Sequence, residues 1–290
     1  MYTIIVLTEW PVDGGPDGIA VSPEGEVFVT VNNNHRVLKY SNEGVRLAEW
    51  PFEGESSGIA VSPDGEVFIT ANNNFRVVNY GANDEISVNI NNNYRVVKYS
   101  NEGVRLAEWS SEGESIGIAV SPDGEVLVNI NNNYRVLEYS ANGEVSVNIN
   151  NNWRVVKYDS DGGQLAEWPF EGSSSGVAVS PNGEVFSVNN MLRVVKCSAV
   201  GDPLAEWSVV AGVIETNGIV ISPDGEVFVT INNSHRVMKY SADGELLAEW
   251  GGEGDQPGEF RSPVGVALGP DGLVYVADKG NSRIQVFRCS

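Results

Sequence analysis

The chain has 290 residues, 41% of them hydrophobic, with 32 glycines and a formal net charge of −21; length alone allows one large domain or two ordinary ones. A charge of that sign repels phosphate backbones and anionic headgroups, which argues against nucleic acid as a partner, and no apolar run is long enough to insert in a bilayer. No long window carries apolar positions at helical spacing, so the chain reads as soluble, acidic and almost purely β.

The opening segment, Ile4 to Trp10, has no cationic lead and no small-residue cleavage site, so it reads as a strand and not as a secretion signal. From Gly18 the chain repeats a unit of about 41 residues. Its first copy runs GIAVSPEGEVFVT, then Asn32-Asn33-Asn34, then His35 and RVLKYSNEGVRLAEW. Each unit carries four short strands: a small-residue strand, a Pro-Asp-Gly-type turn, an alternating strand, an Asn turn, a third strand beginning with Arg, and a fourth ending in Trp. Four antiparallel strands repeated near every forty residues are the mark of a propeller blade, because such a sheet buries both faces only against copies of itself.

First strands recur around Ile19, Ile59, Ile118, Val177, Ile219 and Val266, and fourth strands at Trp10, Trp50, Trp109, Trp168, Trp207 and Trp250. The middle hairpin, however, recurs eight times, at Arg36, Arg76, Arg95, Arg135, Arg154, Arg193, Arg236 and Arg283. Two hairpins are therefore extra, one after Tyr80 and one after Tyr139. With six blades, the extra strands are expected to stack outside the ordinary ones, EISVNI taking the fourth-strand position. The link from Trp109 to Ile118 then crosses about five strand spacings of roughly 4.8 Å. Seven blades of four is the alternative; the agreement of six inner and six Trp-marked outer strands favours six. The last unit stops after its third strand, so the segment at Ile4 to Trp10 is expected to complete it, closing residues 1–290 into a single domain without open sheet edges.

The last unit, SPVGVALGPDGLVYVADKGNSRIQVF from Ser262, resembles the NHL-repeat family almost position for position, and Asn34-His35-Arg36 resembles the tripeptide that names that family. The other units depart by replacing an Asp-x-Gly-Asn turn with Asn-Asn-Asn. The resemblance covers essentially the whole chain and implies an all-β propeller; it does not imply one function, since the family includes scaffolds, ligase substrate-binding modules, RNA binders and a few enzymes. The RNA binders need a basic face, and here Lys and Arg recur singly.

The candidate site is the face onto which the Asn turns emerge. It gathers Asn34, Asn74, Asn93, Asn133 and Asn152, with the position that follows each turn: His35, Phe75, Tyr94, Tyr134, Trp153 and His235. Amides that both donate and accept, beside exposed rings that stack, suit a polar neutral ligand such as a glycan or a peptide. The competing reading is that Asn merely builds the hairpins while the rings pack between blades. The recurring Arg is expected to pair with carboxylates such as Glu49 and Glu108, and the Trp series to pack between blades. Asp159-Ser160-Asp161-Gly162 reads as a turn that lacks the other ligands of a calcium loop. The Asn232-Asn233-Ser234 sequon carries little without a secretion signal.

Catalysis is not expected. Only His35 and His235 exist, both in turns, too few for a zinc site. The residues before the inner-strand glycines, Asp17, Ser57, Ile116, Ser175, Asn217 and Val264, offer one carboxylate and one amide toward an axial calcium. The reading is thus a propeller that binds or scaffolds a protein, peptide or glycan, without a cofactor. The alternatives are a calcium-dependent lactonase-like hydrolase and an architectural subunit of a larger assembly. Cys197 and Cys289 sit in different repeats and are expected to be free thiols, leaning toward a reducing, cytoplasmic compartment that the sequence does not otherwise fix.

Overall fold

The computed structural model describes residues 2–56, 58–80, 86–111, 113–139, 145–159, 161–170, 174–189, 193–209 and 216–290; in the stretches 73–80, 86–93, 131–139 and 145–152 it describes the backbone course. Among these residues, 24 strands form six four-stranded sheets. After β1 (Ile4–Pro11), blade 1 is β2 (Gly18–Val21), β3 (Val27–Val31), β4 (Arg36–Tyr40) and β5 (Arg46–Pro51). Blade 2 is β6 (Ile59–Val61), β7 (Val67–Tyr80), β8 (Ile86–Tyr99) and β9 (Arg105–Ser110). Blade 3 is β10 (Glu114–Val120), β11 (Val126–Tyr139), β12 (Val145–Tyr158) and β13 (Gln164–Pro169). Blade 4 is β14 (Ser174–Val179), β15 (Val185–Asn189), β16 (Arg193–Cys197) and β17 (Pro203–Ser208). Blade 5 is β18 (Thr216–Ile221), β19 (Val227–Ile231), β20 (Arg236–Tyr240) and β21 (Leu246–Gly251). Blade 6 is β22 (Pro263–Leu268), β23 (Val274–Asp278) and β24 (Arg283–Cys289).

Blade 6 takes its fourth strand from the other end of the chain. β1 pairs antiparallel with β24, Ile4 opposite Cys289 and Pro11 opposite Arg283, so the ring closes as the sequence leads one to expect. Thr3 and Ser290 extend the ladder by exchanging backbone hydrogen bonds at 2.7 and 3.1 Å.

The extra hairpins do not stack outside the blades. β7 and β8 pair without a break over 14 residues each, from Val67 opposite Tyr99 to Tyr80 opposite Ile86, and β11 and β12 do the same. Ile86–Ile90 therefore lies opposite Arg76–Tyr80 as an extension of the third strand, and Trp109 stays on the ordinary outer strand β9, opposite Val96; Glu85 lies outside the described residues. The physical reason is that one Asn-rich segment lies opposite a second, Asn73 facing Asn93 and Asn74 facing Asn92, so extending the ladder satisfies every backbone group locally while outside stacking would lengthen the link to the next blade. Each stem continues nine residue pairs past the ordinary sheet, about 30 Å of strand.

Blades are joined by a repeated aromatic contact. Five outer-strand Trp residues lie against an aromatic ring of the next blade's third strand, among them Trp10 6.2 Å from Tyr40, Trp50 6.1 Å from Tyr99 and Trp109 6.0 Å from Tyr158. A turn glycine of that next blade covers the indole: a Cβ on Gly103 would stand 2.5 Å from Trp50, and φ there is +83°, a value side chains resist. The expectation that these Trp residues pack between blades is met.

The recurring Arg behaves as expected where its side chain is described. Arg36, Arg95, Arg154, Arg193, Arg236 and Arg283 pair with Glu49, Glu108, Glu167, Glu206, Glu249 and Glu9; the Arg76 and Arg135 side chains lie outside the described residues. Arg283 differs from Arg36 in kind. It also bonds the fully buried Asp278 at 2.8 Å and the carbonyls of Asp255, Gln256 and Glu259. Val31, fully buried, occupies the Asp278 position in blade 1, which leaves the Arg36 side chain 44% exposed against 10% for Arg283.

That contrast gives a stability prediction. Arg283→Ala strands the buried Asp278 carboxylate and is expected to cost about 3–5 kcal/mol in denaturant unfolding, as breaking a buried pair does. Arg36→Ala, an exposed pair, is expected to cost at most about 1 kcal/mol. Equal costs for the two would contradict the clasp role of Arg283.

Candidate functional site

The hairpins between second and third strands and the links from each outer strand to the next inner strand share one face. In blade 1 the turn Asn32–Asn34 is a single 3-10 turn that ends with His35 in the left-handed region at φ 51°. His35 accepts from the Phe52 amide through its carbonyl at 2.9 Å, and its Nδ1 donates to the Gly54 carbonyl at 2.6 Å. Its ring meets Phe52 edge-on at 6.0 Å. In blade 5, His235 also has positive φ, its carbonyl accepts from Gly252, and its Nδ1 accepts from the Ser262 amide at 3.0 Å. Both imidazoles tie turn to link, which fixes the proton on Nδ1 of His35 and on Nε2 of His235. The Asn34 side chain is exposed on the same turn.

Tyr94 and Trp153 hold the corresponding place in the two long-hairpin blades. The Tyr94 carbonyl accepts from Ser111 and the Trp153 carbonyl from Phe170, each at 2.9 Å, and both residues are half-buried. Here the structure corrects one expectation: these residues do not follow a turn. Asn72–Asn74 and Asn131–Asn133 continue as strand, so Tyr94 and Trp153 lie opposite Asn72 and Asn131 at the foot of the stems. Phe75 and Tyr134 lie farther out, opposite Asn91 and Asn150. The side chains of Asn74, Phe75, Asn93, Asn133, Tyr134 and Asn152 lie outside the described residues. The sequence residues are thus spread around one face, His35 on blade 1, Tyr94 on blade 2, Trp153 on blade 3 and His235 on blade 5.

The axis itself is narrow. The glycines that open the inner strands, among them Gly58, Gly117, Gly176 and Gly218, surround a waist of about 70 Å³. A Cβ on Gly117 would stand 3.2 Å from Gly176 and one on Gly218 only 2.7 Å from the Val264 carbonyl. Thr70 seats one of these strands by accepting from the Gly58 amide at 3.0 Å, and Thr230 donates across to the Val264 carbonyl at 2.8 Å. The waist has room for water and none for an organic ligand.

Of the residues weighed for an axial calcium, Ser57 and the side chains of Ile116, Ser175 and Asn217 lie outside the described residues. Asp17 accepts from the Asn32 amide at 2.8 Å and pairs with Lys279 across the seam between blades 1 and 6. Among the described residues no three His, Cys, Asp or Glu side chains stand together as a metal set. Asp159 accepts from the amides of Asp161 and Gly163 at 3.0 and 2.7 Å, which makes it the organiser of its own turn.

Sequence reasoning missed a second repeated ion pair. Lys39, Lys98, Lys157, Lys196 and Lys239, largely buried, pair with Glu26, Glu66, Glu125, Glu184 and Glu226 at 2.5–2.9 Å. Four of them, in blades 1, 2, 4 and 5, also lie 5.4–5.7 Å from the Phe of their own second strand. The recurrence of Lys before the third-strand Tyr or Cys carries the signal.

Cys197 and Cys289 are free, in blades 4 and 6. Burial raises both thiols, Cys289 to about 11. Because the thiolate is the nucleophile, both are inert near neutrality. Iodoacetamide at pH 8 is expected to label the native protein far more slowly than the unfolded chain, read by intact mass; equal rates would contradict the burial. Burial similarly raises Tyr275, to about 12. The folded state then holds its proton longer than the unfolded chain, so stability falls as pH climbs from 10 to about 12. Tyr275→Phe is expected to flatten that part of the thermal-stability profile; an unchanged slope would rule the phenol out.

Among the described residues no helix is long and apolar enough to cross a membrane. Comparison with known proteins adds a family and a set of similar folds. Residues 260–287 match the NHL-repeat model. Among curated proteins no sequence relative matches. A solved streptogramin B lyase is similar over 100% of this chain and 98% of its own, with TM-score 0.65 and 16% identity. The virginiamycin B lyase from Staphylococcus aureus is similar over 99% of both chains, TM-score 0.58 and 15% identity. A catalytically inactive variant of that lyase, with quinupristin, is similar over 99% of both at TM-score 0.62 and 14% identity. The expectation that the chain is not an enzyme is corrected by these likenesses, because solved propellers that match it from end to end are lyases. At such identities the likeness shows the fold, and no site residue is carried across. With 24 described strands in six sheets and a closing strand from the N-terminus, this chain is a six-bladed β-propeller whose last blade matches the NHL-repeat model.

Proposed function

We propose that the chain captures a protein, peptide or glycan on the face from which its Asn-rich hairpins rise. What carries the reading is the pair of long stems on the neighbouring blades 2 and 3, each extending nine residue pairs beyond the sheet and standing on Tyr94 or Trp153. A blade needs no such extension to fold, as blades 1 and 5 demonstrate with single 3-10 or hydrogen-bonded turns at the same place. The stems break the six-fold repeat on one side of the disc with a sequence rich in Asn, and amides together with aromatics suit polar, uncharged ligand surface.

Screening the purified protein on glycan and peptide arrays identifies the ligand class. Tyr94→Ala with Trp153→Ala is then expected to weaken capture at least about tenfold, the loss of roughly 1.4 kcal/mol. Both residues sit at the rim, so the melting temperature is expected to stay within a few degrees. Unchanged affinity in the double variant would remove the aromatic residues from the reading.

A second reading is supported by the whole-chain likeness to the lyases: the same face cleaves what it captures. Incubation with quinupristin, followed by mass spectrometry, separates the two. A product that accumulates with time and enzyme concentration favours turnover, and an unaltered compound leaves capture alone.

A further inference from the structure

On the face opposite the hairpins the axis opens into a second cavity, a blind pit of about 410 Å³. Its wall is a six-fold repeat of half-buried or buried aliphatic side chains, Val21, Val61, Val120, Val179, Ile221 and Leu268. Its lip is a ring of exposed prolines, Pro23, Pro63, Pro122, Pro181, Pro223 and Pro270. The serine hydroxyls beside those prolines do not make the pit polar. Ser22, Ser62, Ser121, Ser180 and Ser222 each accept, through Oγ, the amide of the glutamate four residues on, at 3.0–3.2 Å.

The residue after each lip proline is charged in five blades of six: Glu24, Asp64, Asp123, Asp224 and Asp271, all exposed, with Asn182 in blade 4. Five cations toward this face, Lys39, Lys98, Lys157, Lys196 and Lys239, are each bound to a blade glutamate, and Arg288 is exposed at the end of β24. None of the five lip carboxylates is among the ion pairs of the described residues. An apolar pit thus sits inside a ring of five uncompensated negative charges, on a chain whose net charge is −21.

We propose that this pit is a docking site for a basic peptide segment that inserts one apolar side chain on the axis and lays its Lys or Arg residues over the lip. The wall selects for an aliphatic or aromatic side chain by burial. The lip selects for positive charge spread around it. Five separated carboxylates reward several cations on one chain more than one compact cation, and they raise the encounter rate of any cationic chain by steering. The site is on the other side of the disc from the hairpin face and is independent of the function proposed above.

The test uses the whole protein and a fluorescein-labelled peptide, Lys-Arg-Leu-Arg-Lys, followed by anisotropy at low salt, with the same peptide carrying Gly in place of Leu as control. Saturable binding is expected, weakened at least about tenfold by replacing the Leu and by raising salt from about 25 to about 300 mM. The lip variant Glu24→Gln, Asp64→Asn, Asp123→Asn, Asp224→Asn and Asp271→Asn is expected to lose binding to the same degree, while Tyr94→Ala with Trp153→Ala binds as the native protein does. No binding by the native protein overturns the proposal. So does a Gly peptide that binds as well as the Leu peptide, since only diffuse charge would then be at work, and so does a lip variant of native affinity. Equal displacement by benzyltrimethylammonium at matched concentration overturns it in favour of a small organic cation.

Discussion

A blade of this propeller is apolar on both faces, so no blade is stable alone, and the six are joined by outer-strand Trp residues, five of them held under a turn glycine of the next blade. A linear row of such sheets would leave an apolar face and an unpaired strand edge at each end. The chain resolves both at once by returning its first strand to its last blade, where β1 completes the β24 edge from Ile4 to Pro11. The strongest polar cluster of the molecule sits on that seam. Arg283 reaches β1 through Glu9, its own strand pair through Asp278, and the preceding link through three carbonyls. Gln285, fully buried, adds bonds to Asp278 and to the Glu259 carbonyl at 3.2 and 2.7 Å.

That clustering explains why the last blade keeps an Asp-x-Gly-Asn turn and the others do not. A closing blade is assembled from two ends of the chain and gains no help from chain connectivity, so it carries a buried, fully bonded charge network that specifies the register. A blade built from consecutive residues gets its register from its turns. Val31 then replaces the buried carboxylate, and the Arg moves outward to Glu49. The stretch matched by the NHL-repeat model, residues 260–287, contributes Asp278, Arg283 and Gln285 to this network.

Much of this was legible in the residues. The spacing of Trp10, Trp50 and their successors counts the blades, the orphan strand before Gly18 predicts the clasp, and Arg paired with Glu follows from one recurring partner. The placement of the extra hairpins was not legible, because EISVNI alternates as well in a fourth-strand position as in an extension of the third; only the pairing of one Asn run against another distinguishes them, and that depends on register. The roles of His35 and His235 in tying turn to link were likewise hidden, since the carbonyl and amide partners lie 19 and 27 residues away. The lip of the lower pit was in view as a set of Pro-Asp-Gly turns, yet its meaning appears only once six turns are brought around an axis.

The two sites proposed here are therefore divided between what symmetry repeats and what breaks it. The pit and its carboxylates are products of repetition, while the long stems of blades 2 and 3 are the departure from it, and both rest on a ring that is closed. Hydrogen exchange followed by mass spectrometry measures that closure most directly. Amides of Ile4–Pro11 are predicted to exchange only with those of Arg283–Cys289, in one cooperative step at the free energy of global unfolding. Rapid exchange of the first strand while the last stays protected would show that the ring is open and contradict the account.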